Sequence, residues 1–226
     1  MQEPLPTPRG ATPERPVKPR LRGVIHQWSF FVSVAAGAAL VVLAPAGRAT
    51  VACAVYAVTL CGLLGTSALY HRVTWRPSVR QWMRRLDHSM IFVLIAGTYT
   101  PFATLVLSQP LGDVVLLGVW GGALAGIVFT LVWIRAPKWL TAAAYLALGW
   151  FSLIALPQLV ERTGLGALAL LAGGGVAYTV GAVIYARRRP DPRPGVFGYH
   201  ELFHVLVVVA AAAHFVAVAA YAAPSD

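Results

Sequence analysis

His200 and His204 stand four residues apart in the run HELFH, and on a helix that spacing puts the two rings about 40° apart around the axis and about 6 Å apart along it. Two imidazoles so placed can reach one metal ion. Ser67 and His71, in SALYHR, repeat the spacing and put a hydroxyl and an imidazole on one face of another helix. A third imidazole from a different helix would complete a three-histidine site whose fourth position stays open to water, as in catalytic zinc centres. Neutral imidazole suits zinc better than magnesium or calcium. Asp87 and Glu201, two of only eight acids in 226 residues, fall at the same level as these histidines. A carboxylate beside such a centre can take a proton from water, and Asp87 is the nearest obvious base. HELFH also fits the His-Glu-x-x-His pattern, in which Glu201 would instead be the base of a protease.

Each of these residues also has an ordinary structural reading. His71, beside Arg72, complements a helix C-terminus. Asp87, after Arg84 and Arg85, suits the N-cap of a following helix. Ser67 inside a helix usually bonds its own backbone. What goes beyond these readings is convergence: five of the six histidines, His26, His71, His88, His200 and His204, fall at one membrane depth. Ionisable groups there are costly and point to function. His214 differs, because it lies fourteen residues beyond His200 and hence about 21 Å along the axis. It cannot share the metal. Its expected role is a hydrogen bond between packed helices, with lining of a lipid or water cavity as the second reading. His26 reads as an interfacial residue beside Trp28, and His88 as pointing away from the site; neither is assigned.

The elements that must position these groups are membrane-length. Of the 226 residues 58% are hydrophobic and 12% charged, against about 25% charged in soluble proteins, which excludes an ordinary soluble domain. Runs of about 20 apolar residues fall at about 27–47, 51–71, 88–107, 112–134, 138–157, 165–186 and 201–223. The expected class is therefore all-α, a polytopic membrane protein of seven transmembrane helices over residues 23–226. Sixteen of the 18 Lys and Arg residues lie on one side of that arrangement, leaving Arg48 and Arg162 for the other. The positive-inside rule then makes the amino terminus cytoplasmic and the carboxyl terminus external.

The net charge of +10 would suit nucleic acid, but its clustering between apolar runs excludes that partner and favours membrane lipids. Residues 1–22, rich in Pro and Arg, read as a disordered basic tail. Ala44-Pro45-Ala46 resembles a signal cleavage site, yet the apolar run from Trp28 to Leu43 and the stretch before it are too long, so the first span is read as uncleaved. Cys53 and Cys61, eight residues apart within one span, offer no disulfide framework and read as small apolar fillers. Two Lys against sixteen Arg, with abundant Ala and Gly, suggest a GC-rich bacterial source and an inner-membrane home.

Taken together, Arg22-Gly23 followed by His26, SALYHR (Ser67 to Arg72), LDHSMIFVLIAGTYTPF (Leu86 to Phe102) and HELFH (His200 to His204) resemble the hemolysin III family. Its relatives include the adiponectin and progestin receptors and, more distantly, the alkaline ceramidases. The resemblance covers essentially all seven spans. It implies a seven-helix fold with a cytoplasmic amino terminus and a zinc site in the inner leaflet. Carried over by motif, His71, His200 and His204 would bind Zn2+, Asp87 would hold the zinc-bound water, and Ser67 would stand close by. The receptor members have been linked to hydrolysis of lipid amides of the ceramide class. The expected function is thus a zinc-dependent lipid amide hydrolase. Its rivals are a non-enzymatic, lipid-responsive sensor with structural zinc, a pore-forming cytolysin as the family name suggests, and the intramembrane protease of the HELFH pattern.

Overall fold

The computed structural model describes residues 18–223, and among these it is helical throughout, apart from one isolated bridge between Arg193 and Phe197. The helices are α1 (Val24–Leu43), α2 (Arg48–Arg72), α3 (Pro77–Pro101), α4 (Leu111–Val132), α5 (Lys138–Gly149), α6 (Leu156–Arg187) and α7 (Tyr199–Ala217). α3 runs on through a π-helical turn at Phe102–Val106, and α7 through another at Val218–Ala222. A 3-10 stretch, Trp150–Ala155, joins α5 to α6.

Six of these runs are long and apolar enough to cross a bilayer. The chain is a multi-pass membrane protein. Its outer surface carries Trp28, Phe31, Val42, Leu117, Leu124, Val132 and Leu165 exposed, a distribution that would aggregate in water and suits lipid. Inside, Tyr56, Phe92, Val115, Val119 and Val218 are wholly buried and join α2, α3, α4 and the end of α7.

The run Lys138–Arg187 counts fifty residues, about 75 Å if straight, more than twice the hydrocarbon thickness. It is not straight. Gly164 has φ 74° and ψ −176°, a backbone open to glycine and to few other residues, and the chain reverses there. Trp150 Nε1 donates to Thr179 Oγ1 at 3.1 Å although the two are 29 residues apart, so the second part of the run packs back on the first. The 3-10 stretch leaves backbone groups without helical partners, and one side chain supplies them. Tyr99 Oη donates to the Gly149 carbonyl at 2.6 Å and accepts from Ser152 N–H at 2.7 Å. Irregular backbone at membrane depth needs such partners from neighbouring helices.

The third helix begins eleven residues earlier than the apolar run that predicts it. Pro77 occupies its first turn, where a missing N–H costs nothing, and the Arg, Gln, Met and Leu that follow favour helix. Hydropathy marks only the part that lies in lipid. Asp87 is consequently inside α3 and not its N-cap, which removes that reading of the residue. At the far end, the two basic residues outside the main clusters have structural tasks. Arg48 donates to the Thr104 carbonyl at 3.2 Å and Arg162 to the Val106 carbonyl at 2.9 Å, meeting carbonyls of the π-helical turn.

Residues 1–17 of the basic tail lie outside the described residues. Lys18–Gly23 lead into α1 through a turn, and the N–H groups of Arg20 and Leu21 donate to the carbonyls of Gly195 and Val196 at 3.0 and 3.2 Å. The segment before α1 is thereby laced to the loop before α7.

Candidate metal centre

His71 sits in the last turn of α2, and His200 and His204 in the first two turns of α7. Their ligating nitrogens all lie within 4.8 Å of one another, an arrangement that could hold a metal ion. Nε2 of His71 and Nε2 of His200 are 3.1 Å apart. Two imidazole nitrogens at the usual Zn–N distance of 2.0–2.1 Å and a tetrahedral angle would be about 3.3 Å apart. A hydrogen bond between the two neutral rings also fits that gap, but it would leave His204 outside the pair, its ring 5.0 Å from His71 and 4.6 Å from His200. Three buried or half-buried imidazoles facing one point form a donor set that suits a borderline-soft divalent ion.

Asp87 comes to the centre from α3. Its Oδ2 is 4.0 Å from His71 Nε2, beside the cluster without joining it. Ser67, one helical turn before His71, is buried and does not bond its own helix. Thr98, Thr100, Thr104, Thr163 and Thr179 all donate to the carbonyl four residues back, the habit of hydroxyls in membrane helices. Ser67 Oγ instead lies 2.8 Å from His26 Nδ1. The structure therefore gathers His71, His200, His204, Asp87 and Ser67 at one place. His88 lines the adjoining cavity from α3, its backbone carbonyl bonded by Tyr145 Oη at 3.1 Å.

Three residues of the Arg22-Gly23…His26 motif surround the same centre, a role that sequence spacing does not disclose. Arg22 Nε pairs with Glu201 Oε1, across 179 residues of chain. The other oxygen of Glu201 accepts from Gly198 N–H at 2.8 Å, closing the first turn of α7 as a cap. Glu201 is 1% exposed with both oxygens engaged, one by Arg22 and one by the helix cap, so the structure gives it a structural task in the first turn of α7. Gly23 has φ +79°, and a Cβ there would come within 2.6 Å of His71 Cβ. His26 is buried with its ring stacked on that of His204, centroids 3.8 Å apart and planes 8° apart.

From this head a cavity of about 180 Å³ continues between α3, α5, α6 and α7. His26, Ser67, Asp87, His88, His200 and His204 line one end. Farther in, the walls are mostly apolar, including Ile95, Phe102, Leu159 and Val207, and His214 lies toward the other end. His214 Nε2 lies 3.2 Å from the Leu171 carbonyl, so it both links α7 to α6 and lines the cavity. Outside the membrane part, burial first and then the cations of Arg72, Arg80 and Arg22 pull the Lys18 ammonium below its ordinary pKa. Positive charge is thus concentrated above the head of the cavity.

A family model described as haemolysin-III related matches residues 15–215. Hemolysin-3 of Bacillus cereus is 35% identical over 178 residues, covering 78% of this chain and 78% of its own. A Hemolysin-3 homolog of Bacillus subtilis is 34% identical over 167 residues, 74% of this chain and 75% of its own. The rice protein named heptahelical transmembrane protein ADIPOR2 is 32% identical over 178 residues, with 72% of this chain and 76% of its own covered.

Proposed function

The chain belongs to the haemolysin-III-related family, and on that premise we propose that it is a zinc-dependent hydrolase of a membrane lipid amide, its site in the cytoplasmic leaflet. The observation that carries this reading is the form of the cavity, in which a polar head of histidines, a carboxylate and a hydroxyl opens onto an apolar passage. A lipid amide has the same division between a polar bond and an acyl chain. Seven crossings with the amino terminus inside are part of the proposal. The reversal at Gly164, the one-sided basic residues and the printed name of the rice relative support it.

His71, His200 and His204 would hold the ion. Zinc bound by three imidazoles with one open position supplies Lewis acidity, polarising an amide carbonyl and making water a nucleophile near neutral pH. Asp87, 4.0 Å from His71, would accept the proton that water gives up and return it to the departing amine. Ser67 Oγ, on the same wall, is placed to hydrogen-bond the carboxylate or the substrate. The apolar walls keep bulk water from the passage and fix the acyl chain, so that the amide bond stops at the histidines.

The test is cleavage of a ceramide-like amide in mixed micelles by protein carrying one zinc per chain. Release of fatty acid is expected. If fully loaded protein releases none, the hydrolase reading fails, and zinc that merely ties α2 to α7 in a lipid-responsive protein takes its place. Topology is tested separately. A tag after Asp226 should be open to protease in spheroplasts and one before Met1 should be shielded; the reverse would overturn the seven-crossing arrangement.

A further inference from the structure

His214 lies ten residues beyond His204, about 15 Å farther along α7, and lines the same cavity. Its Nε2 is 3.2 Å from the Leu171 carbonyl, which can only accept, so Nε2 carries the proton. A charged ring at this depth would be costly, and on the neutral ring Nδ1 is then a bare acceptor. Gly174 makes room for this contact with α6, since a Cβ there would come within 2.4 Å of His214 Nε2. The Tyr178 ring, also on the cavity wall, stands edge-on to the imidazole with centroids 5.5 Å apart. Other polar side chains of this stretch are engaged: Thr98 donates to the Leu94 carbonyl at 2.8 Å, Tyr99 is held by Gly149 and Ser152, and Trp150 donates to Thr179. Tyr178 Oη and His214 Nδ1 make no hydrogen bond among the described residues, and they are not sealed in as Tyr56 Oη is. Both open onto the cavity that their residues line.

An open acceptor beside an open donor in an apolar passage has a simple complement. A hydroxyl donates to the bare nitrogen and accepts from the phenol. A methylene at that place would leave both groups unpaired and cut off from water, at a cost. A charged group would find no counterpart, because among the described residues of the cavity wall Asp87 is the one Asp, Glu, Lys or Arg, and it belongs to the head. We propose that Tyr178 and His214 form a hydroxyl-binding site in the passage, so that the preferred substrate is a lipid amide whose acyl chain carries a hydroxyl well away from the amide bond. A hydroxyl beside the carbonyl would instead lie at the head, about 15 Å short of His214. This inference rests on the reading of the cavity as the passage for an acyl chain.

The test compares a ceramide-like amide of stearic acid with the same amide hydroxylated at mid-chain, both in mixed micelles with protein carrying one zinc per chain. The hydroxylated amide should be cleaved with a kcat/KM about 10–100-fold higher, the worth of one or two hydrogen bonds. Tyr178→Phe should remove most of that preference while leaving the bond from His214 to Leu171 in place. His214→Phe keeps a ring and removes the acceptor, and should do the same. Tyr56→Phe removes a phenol that is not on the cavity wall and should leave the preference as it is. A readout independent of turnover is competition between stearic acid and mid-chain hydroxystearic acid for the protein, followed by native mass spectrometry of the lipid retained. The hydroxy acid should win in wild-type protein and lose its advantage in Tyr178→Phe. In 15N-histidine-labelled protein, one ring, identified by its disappearance in His214→Phe, should show a protonated Nε2 and a bare Nδ1. The Nδ1 signal should move on adding the hydroxy acid. Equal retention of the two acids, as expected if these groups hold only water, would overturn the inference, as would a preference that survives Tyr178→Phe. If wild-type protein cleaves no amide, the hydrolase reading fails by itself, and the retention of the two acids decides the hydroxyl site.

Discussion

His200 and His214 lie on one helix, line one cavity and are both half-buried, and they differ in what faces them. Around His200 stand His71, His204, Asp87 and the His26–Ser67 pair, drawn from α1, α2, α3 and α7. His214 has a backbone carbonyl at 3.2 Å and the Tyr178 ring at 5.5 Å. One end gathers several titratable groups from four helices around one point; the other satisfies a single group with one carbonyl. A histidine at membrane depth is thus no metal site in itself. The site arises where imidazole nitrogens from separate helices converge on one point.

The contrast between the two ends can be broken most severely at Asp87. Asp87→Asn should lower amide hydrolysis by about 10³-fold, within the span of a lost acid–base group, while zinc affinity changes no more than about 10–100-fold. Complete zinc loss would make Asp87 a ligand, and an unchanged rate would deprive it of any part in the reaction. Next comes Gly23→Ala, which forces a side chain into a left-handed backbone and against His71. A loss of about 2 kcal/mol in stability is expected, from strain and overpacking, accompanied by weaker zinc binding, both measurable by thermal melts with and without chelator. Arg22→Met leaves Glu201 buried without its cation and should cost about 2 kcal/mol, near the value of a charged hydrogen bond, with zinc retained. At the other end, His214→Ala should cost only about 1 kcal/mol for its single bond to the Leu171 carbonyl and leave zinc binding unchanged. A metal-binding defect in His214→Ala would erase the distinction between the two ends.

Much of this arrangement is legible in the sequence because it is written in spacings. Apolar runs of membrane length mark the helices, and the four-residue steps from Ser67 to His71 and from His200 to His204 mark the faces that meet. Asp87 is legible as a rare acid at the right depth, although its place in the middle of α3 is not, since the charged first turns of that helix lie outside any apolar run. His26 and Arg22 are hidden for a different reason. Their partners are 41 and 179 residues away, and neither belongs to a periodic pattern, so only the closing of α1 onto α2 and α7 gives them a role. For Glu201 the motif gives no sign of its partners, because a pattern of residue types does not show that the carboxylate is engaged by a helix cap and an arginine.

The central claim is that α2 and α7 jointly hold one metal ion at the head of the cavity, and metal analysis of purified protein tests it most directly. Wild-type protein in detergent should carry one zinc per chain by mass spectrometry of the bound metal. His71→Ala and His204→Ala should carry almost none, and His214→Ala should match the wild type. Zinc that survives the loss of His71 or His204, or that disappears with His214, would contradict the account.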